Sequence, residues 1–308
     1  MKPLPQDDLQ AIVDAVDWEP LRGARILLTG GSGFIGRWMM DSFILANRQH
    51  NLKAMMFATM AHTQIQETEE VCTVIWDLTT GCYPNQWPGV ITHCIHAACP
   101  SCAVPPVSDL EMFKTIINGT QNVMKWCAEN EAKHVLYLSS GASVYRSDTP
   151  YGLAKKAAEM VCKLYTKDYS MQVSIARIYT LVGPGLPLDG HFAIGNFIRD
   201  AIAGRPVQVI GGASSLRSYL YISDAATRLW ELAISPFERS TVGSPNIISI
   251  RDLAGLVGKV LHAHVSYTLG TCQADTYLPP SNAHLGRAPR VSLEDAILKT
   301  AQWNQEDL

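Results

Sequence analysis

Arg25-Ile-Leu-Leu-Thr29, followed by Gly30-Gly-Ser-Gly33-Phe-Ile-Gly36 and Arg37, is the stretch that decides the fold. A short apolar run of strand type ends in glycines spaced three apart, and Arg37 to Asn47 then reads as a helix. Strand, glycine turn and helix succeed one another without a gap. The glycines permit the tight turn, and they let backbone N–H groups approach a pyrophosphate at the helix N-terminus.

The same rhythm continues along the chain. Strands are expected near Lys53–Ala58, Val71–Ile75, Val90–Ile95, His134–Leu138 and Gln172–Ile178, with helices near Leu110–Asn130 and Tyr151–Tyr169. Upstream, Asp8 to Val16 repeats Leu9, Ile12, Val13 and Val16 at helical spacing, predicting an amphipathic helix that docks its apolar face on the body of the protein. Such alternation predicts an α/β fold, a Rossmann-type doubly wound parallel sheet with helices on both faces. From Val182 the rhythm changes to a Gly- and Pro-rich loop, Gly183 to Gly190, a helix Ala193–Ala203, and helices near Asp224–Ala233 and Ile250–Leu261. The expected organisation is an N-terminal helical extension over 1–24, a dinucleotide-binding domain over 25–181 and a smaller α/β substrate lobe over 182–308, with chain crossings between the lobes.

Composition narrows the function. The chain has 308 residues, 47% hydrophobic and 17% charged, with a net charge of −3. That excludes a disordered chain and disfavours nucleic acid as a partner. No apolar run reaches the roughly 18 residues of a membrane span, and the first twenty residues carry acids and prolines where a signal peptide needs an apolar stretch. A cytoplasmic protein is therefore expected. The eight cysteines show no regular framework and read as reduced thiols, not disulfides.

Tyr151-Gly-Leu-Ala-Lys155 opens a helix, and the spacing of four puts phenol and ammonium on one face, a turn apart. A phenol ordinarily titrates near pH ~10, and a neighbouring cation favours the phenolate, so the pair can exchange a proton with an alcohol near neutrality.

Together these residues resemble the extended branch of the short-chain dehydrogenase/reductase superfamily, the NAD-dependent epimerase/dehydratase family of nucleotide-sugar epimerases, dehydratases and reductases. The resemblance runs over nearly the whole chain. It rests on Thr29 to Gly36, Asp77-Leu78, His96-Ala-Ala98, Ser139-Ser140, Tyr151 with Lys155, Gly183-Pro184, Asn196-Phe-Ile198, Arg217 to Asp224, and Leu285-Gly286 with Pro289. It implies a hydride-transfer enzyme in which Tyr151 is the acid/base, Lys155 lowers its pKa and holds the nicotinamide ribose, and Ser140 bonds the reacting oxygen. It implies NAD or NADP held by Gly30, Ser32, Gly33, Phe34, Ile35, Gly36 and Arg37, with Asp77 and Leu78 at the adenine and Ala97 and Ala98 by the pyrophosphate. On the substrate side it puts Asn196 and Arg217 at a diphosphate, which a guanidinium fork suits. No metal is implied. The expected partner is a nucleotide-sugar-like small molecule, and family members often form homodimers through the two long helices.

The chain also departs from that pattern. Only 11 positions separate Ser140 from Tyr151, where extended members usually insert a loop that covers the sugar. Gly141 stands one count from Ser140, near the usual hydroxyl position, with Ser139 and Ser143 as alternatives. Ser140-Gly-Ala-Ser143 offers no carboxylate, which disfavours dehydration and the decarboxylase branch and leaves a reversible alcohol–ketone step, as in 4-epimerases and 4-ketoreductases. Ile116 and Thr180 stand where relatives carry Asn. The second strand ends in Phe57-Ala-Thr-Met60 with no acid for the ribose, and Arg37 is either a 2′-phosphate site or a solvated helix-start arginine.

Three other readings stay open: a 4,6-dehydratase-like enzyme, an oxidoreductase of a small ketone or alcohol, and a non-catalytic NAD(P)-binding sensor. Cys99-Pro-Ser-Cys102 could be a redox pair, and His191 an auxiliary acid or base; both types of residue are more often structural or solvated.

Overall fold

The computed structural model describes residues 2–60, 67–81, 89–100, 107–190, 192–268 and 274–305. The chain divides into two units, one of Gln6–Ile178 with Ala226–Ser240 and one of Met1–Pro5, Tyr179–Ala225 and Thr241–Leu308.

The first unit opens with helix α1 (Gln6–Ala15), which buries Leu9, Ile12 and Val13. Strand β1 (Arg25–Thr29) leads through the glycine turn into α2 (Phe34–Gln49), and β2 (Met55–Met60), β3 (Val71–Ile75) and β4 (His93–His96) come next. Then come α3 (Asp109–Glu129), β5 (His134–Ser140), the one-turn α4 (Ala142–Tyr145), α5 (Pro150–Asp168) and β6 (Gln172–Ile178). The central sheet has seven strands, with β3 at one edge, then β2, β1, β4, β5 and β6, and a late strand at the other edge. Neighbours from β3 to β6 are parallel. The order reverses between β1 and β4, which opens the crevice where doubly wound sheets take their ligands. One face of the sheet is covered by α3 and α5, whose Val123, Trp126 and Ala158 pack with Leu27, Val135 and Tyr137. Trp230 donates to Ser42 of α2 at 2.9 Å and lies 4.8 Å from Trp18, giving this unit an aromatic cluster.

The second unit holds β7 (Thr180–Val182), α6 (Ala193–Ile202), β8 (Val207–Ile210) and β9 (Leu216–Tyr221). Helix α7 (Ile222–Ile234) and strand β10 (Arg239–Val242), the far edge of the central sheet, each contribute residues to both units. The unit is completed by β11 (Ile247–Ser249), α8 (Ile250–Val260), β12 (Val265–Thr268), β13 (Thr276–Tyr277) and α9 (Leu293–Gln305). Here β9 is flanked by β7, β11 and β13, and β8 pairs with β12.

Several boundaries differ from those expected of the sequence, among them these three. Helix α2 starts at Phe34 and not at Arg37, so Phe34, Ile35 and Gly36 form its first turn. Strand β2 starts at Met55 because Asn51 and Lys53 both have positive φ, 47° and 54°, which breaks an extended run. Strand β4 is shorter than expected, beginning at His93.

Candidate active site

The glycine turn sits at the end of β1. Gly30 has φ +74°, and a Cβ there would lie 2.8 Å from the Cα and N of Ala98, so two backbone stretches approach as closely as only glycine allows. A Cβ on Gly36 would overlap the Gly30 carbonyl oxygen. Ser32 and Gly33 are exposed, Phe34 and Ile35 half-buried. Gly33 is the N-cap of the 16-residue α2 and supplies no side chain to its first amides. That cradle fits a dinucleotide's pyrophosphate, whose charge suits a helix N-terminus. Arg37 lies 3.6 Å from Asp41, one turn along the same helix. Burial holds the Asp41 carboxyl above its usual range, against the opposing pull of Arg37.

Across the switch point, Ala97 and Ala98 come directly after β4. Their amides donate to Thr29, that of Ala97 to its carbonyl and that of Ala98 to its Oγ1, both at 3.2 Å. His96, buried between Thr29 and Thr120, bonds both hydroxyls. Asp77 is exposed beyond β3 and accepts from the amide and hydroxyl of Thr79, and the Leu78 carbonyl accepts from Asn122 at 2.7 Å.

Tyr151 and Lys155 share a face of α5. Thr149 caps that helix by accepting the Gly152 amide, and Pro150 supplies its first turn. The short connection from Ser140 is built as α4 and one tight turn. Gly152 makes this possible, since a Cβ there would overlap the carbonyl oxygen of Arg146. Lys155 is 4% exposed; its Nζ donates to the Leu138 carbonyl at 2.8 Å and lies 5.1 Å from the ring of Tyr137 and 6.0 Å from that of Tyr151. The ammonium thus lies near two aromatic rings, whose faces attract a cation. Burial pushes the Tyr137 phenol well above its usual range.

Of the three serines, Ser140 is buried and its Oγ accepts the Ala142 amide at 3.2 Å. Ser139 and Ser143 both donate to Glu159 Oε1, at 2.6 and 2.7 Å. Glu159 is a carboxylate that sequence reasoning missed. The only signal was its place one turn beyond Lys155. It is buried, and Arg177 of β6 grips both its oxygens. Burial alone would raise its pKa, but Arg177, Ser139 and Ser143 together outweigh burial and hold it below the usual range. A carboxylate so occupied is not placed to take or give a proton.

Asn196 and Arg217 belong to the second unit. Asn196 Oδ1 accepts from Arg199 at 3.1 Å. Arg217 donates to the Asp275 carbonyl at 2.6 Å, to its carboxylate at 3.0 Å and to the Leu216 carbonyl at 2.9 Å. Cys99 is half-buried, whereas Cys102 and His191 lie outside the described residues. Among the described residues no helix is long and apolar enough to cross a membrane.

The model of the NAD dependent epimerase/dehydratase family matches residues 26–241 of the chain. UDP-glucuronic acid decarboxylase 1 of Danio rerio is 25% identical over 318 residues, covering 92% of this chain and 73% of that protein. The UDP-glucose 4-epimerase of Thermotoga maritima, solved with UDP-glucose, superposes with a TM-score of 0.75 at 19% identity, over 92% of this chain and 99% of that one. An enzyme of Bordetella bronchiseptica solved in complex with NAD+ gives a TM-score of 0.74 at 19% identity, over 93% and 94%. The structural likenesses establish the Rossmann-type α/β fold.

Proposed function

Because the chain belongs to the NAD dependent epimerase/dehydratase family, and is an enzyme of its extended short-chain dehydrogenase/reductase type, we propose that it transfers hydride reversibly at a ring carbon of a nucleotide-linked sugar, as a 4-epimerase or 4-ketoreductase. The observation that carries this reading is the buried Lys155 ammonium, 6.0 Å from the Tyr151 ring in the same unit as the glycine turn.

NAD, held at Gly30, Ser32, Gly33, Phe34, Ile35 and Gly36 with Ala97, Ala98, Asp77 and Leu78, would supply the hydride acceptor. Tyr151 takes the proton of the sugar hydroxyl as the carbinol becomes a ketone, and returns it when hydride comes back. The Lys155 cation favours the phenolate form of its neighbour. Ser140 bonds the reacting oxygen, and Asn196 and Arg217 hold the diphosphate. The family's NAD dependence favours NAD over NADP, and Arg37 lies 3.6 Å from Asp41 of the same helix.

Decarboxylation is the second reading, favoured by the name of the Danio rerio relative. Oxidising a hexuronic acid at the ring carbon β to its carboxylate gives a β-keto acid, which loses carbon dioxide readily, so the hydride step is shared. The absence of a carboxylate in Ser140-Gly-Ala-Ser143, and the occupation of Glu159 by Arg177, favour the epimerase or reductase reading.

Mass spectrometry of the nucleotide released on denaturing fresh protein is the first test. Retained NAD is expected for an enzyme that recycles its cofactor in place. Incubation with UDP-glucose, UDP-galactose and UDP-glucuronic acid, followed by NMR, then separates an epimer from a pentose with carbon dioxide. Tyr151→Phe is expected to lower turnover by about 10²-fold or more; unaltered turnover would overturn the assignment.

A further inference from the structure

Thr29 is the last residue of β1 and His96 the last of β4, and the two stand opposite each other where the strand order reverses. Thr29 Oγ1 meets His96 Nδ1 at 2.7 Å, and His96 Nε2 meets Thr120 Oγ1 of α3 at 3.2 Å. All three side chains are buried. The same Thr29 oxygen accepts the Ala98 amide, immediately across from Gly30.

We propose that His96 is a positioning residue for the dinucleotide, a latch that sets the spacing between the Gly30 turn and the Ala97–Ala98 backbone. The inference rests on the reading of that turn as the cofactor cradle. A neutral imidazole has one donor and one acceptor, and each threonine hydroxyl can donate or accept, so either tautomer satisfies both contacts. The ring is therefore held at both ends and has one orientation. It in turn holds Thr29 Oγ1 where the Ala98 amide needs an acceptor. Burial, and secondly the charge of Lys155, push His96 down to about 3, so the latch stays neutral over the ordinary working range. Neither partner hydroxyl belongs to the proton-transfer pair, which leaves His96 a role in geometry and not in chemistry.

The test combines His96→Phe, which keeps an aromatic ring and loses both bonds, with Thr29→Val, which keeps shape and loses the oxygen. Thr29→Ser should restore function. Three quantities are read: the thermal midpoint of nucleotide-free protein, hydrogen exchange at the Ala98 amide, and the dissociation constant for NADH. Each of the first two variants should weaken NADH binding by about tenfold, the worth of one buried hydrogen bond, and should speed exchange at Ala98. The double variant should bind no worse than the poorer single one, because both remove the same latch. If His96→Phe does not fold, Thr120→Val breaks the outer bond, together with the Thr120 bond to the Tyr137 phenol, and should give the same changes in smaller measure. A fall in stability with NADH affinity and Ala98 exchange unchanged marks a merely structural histidine and overturns the proposal, as do effects that multiply in the double variant. Wild-type protein that takes up no NADH overturns the cradle reading itself, and the latch with it.

Discussion

Arg177 grips Glu159 with two hydrogen bonds, Nε to Oε1 at 2.9 Å and Nη2 to Oε2 at 2.6 Å, and so ties α5 to β6 directly beneath the helix face that carries Lys155. Glu159 Oε1 accepts from Ser139 and Ser143 as well, so one carboxylate gathers β5, α4, α5 and β6. Removing one partner of a buried pair leaves the other uncompensated. Arg177→Met should therefore destabilise the protein by about 3–5 kcal/mol, whereas Arg177→Met with Glu159→Leu should recover part of that loss. Urea unfolding of the two variants checks it, and equal losses would refute it.

Stability should fall on mild acidification. His93 and His134 face each other across β4 and β5 with rings stacked 4.9 Å apart. Burial, then the neighbouring His134, push His93 down to about 4, and burial, then Lys133, lower His134. A histidine with a depressed folded pKa takes up its proton in the unfolded chain first. The contribution is complete above the unfolded value near 6.5 and is lost as pH falls toward about 4, at up to about 1.4 kcal/mol per pH unit for His93. Glu159, also lowered, adds a second loss below the ordinary carboxylate range. Thermal midpoints between pH 7 and 4 should show the first loss, and His93→Gln should reduce its slope without removing it, since His134 and the buried His96, pushed down to about 3, lose stability over the same window.

Gly152→Ala should damage both folding and turnover. The added methyl would lie 2.6 Å from the Ala142 carbonyl oxygen and would also overlap that of Arg146, so α4 and α5 must move apart beside Tyr151. Overpacking of this kind costs roughly 1–3 kcal/mol. A variant with wild-type stability and kcat would show that the short connection is more pliant than the contacts indicate.

Arg217→Lys should weaken binding of UDP by about tenfold, since an ammonium lacks the planar fork that engages two oxygens. Asp275→Asn should act in the same direction, because Asp275 orients the guanidinium through its carbonyl and its carboxylate. Calorimetric titration of UDP measures both. Unchanged affinity in Arg217→Lys would remove Arg217 from the diphosphate site.

A homodimer is expected through the two long helices α3 and α5; on α5, Leu153, Met160 and Leu164 are 46%, 54% and 56% exposed at spacings that keep them on one side of the helix. Sedimentation of the wild-type protein should give twice the chain mass, and Leu164→Glu should give a monomer. A wild-type monomer at micromolar concentration would refute the expectation.

Features that depend on near neighbours in the chain were legible in the sequence. Turn chemistry at Gly30 to Gly36 and alternating strands and helices led to the doubly wound sheet, and the spacing of four brought Tyr151 and Lys155 to one helix face. Such signals are local, set by the helical repeat and by what glycine permits.

The environment of those groups came from tertiary packing. His96 meets Thr29 from 67 residues away and Glu159 meets Ser139 from 20, because strand order and register bring them together. Apolar periodicity says that a strand is buried, but not which strand lies beside it or at what offset. The Arg217 contact with Asp275, across the β9–β13 pairing, was hidden for the same reason. Hydrogen bonds that orient buried polar groups are properties of packed pairs, and a pair exists only once the chain has folded.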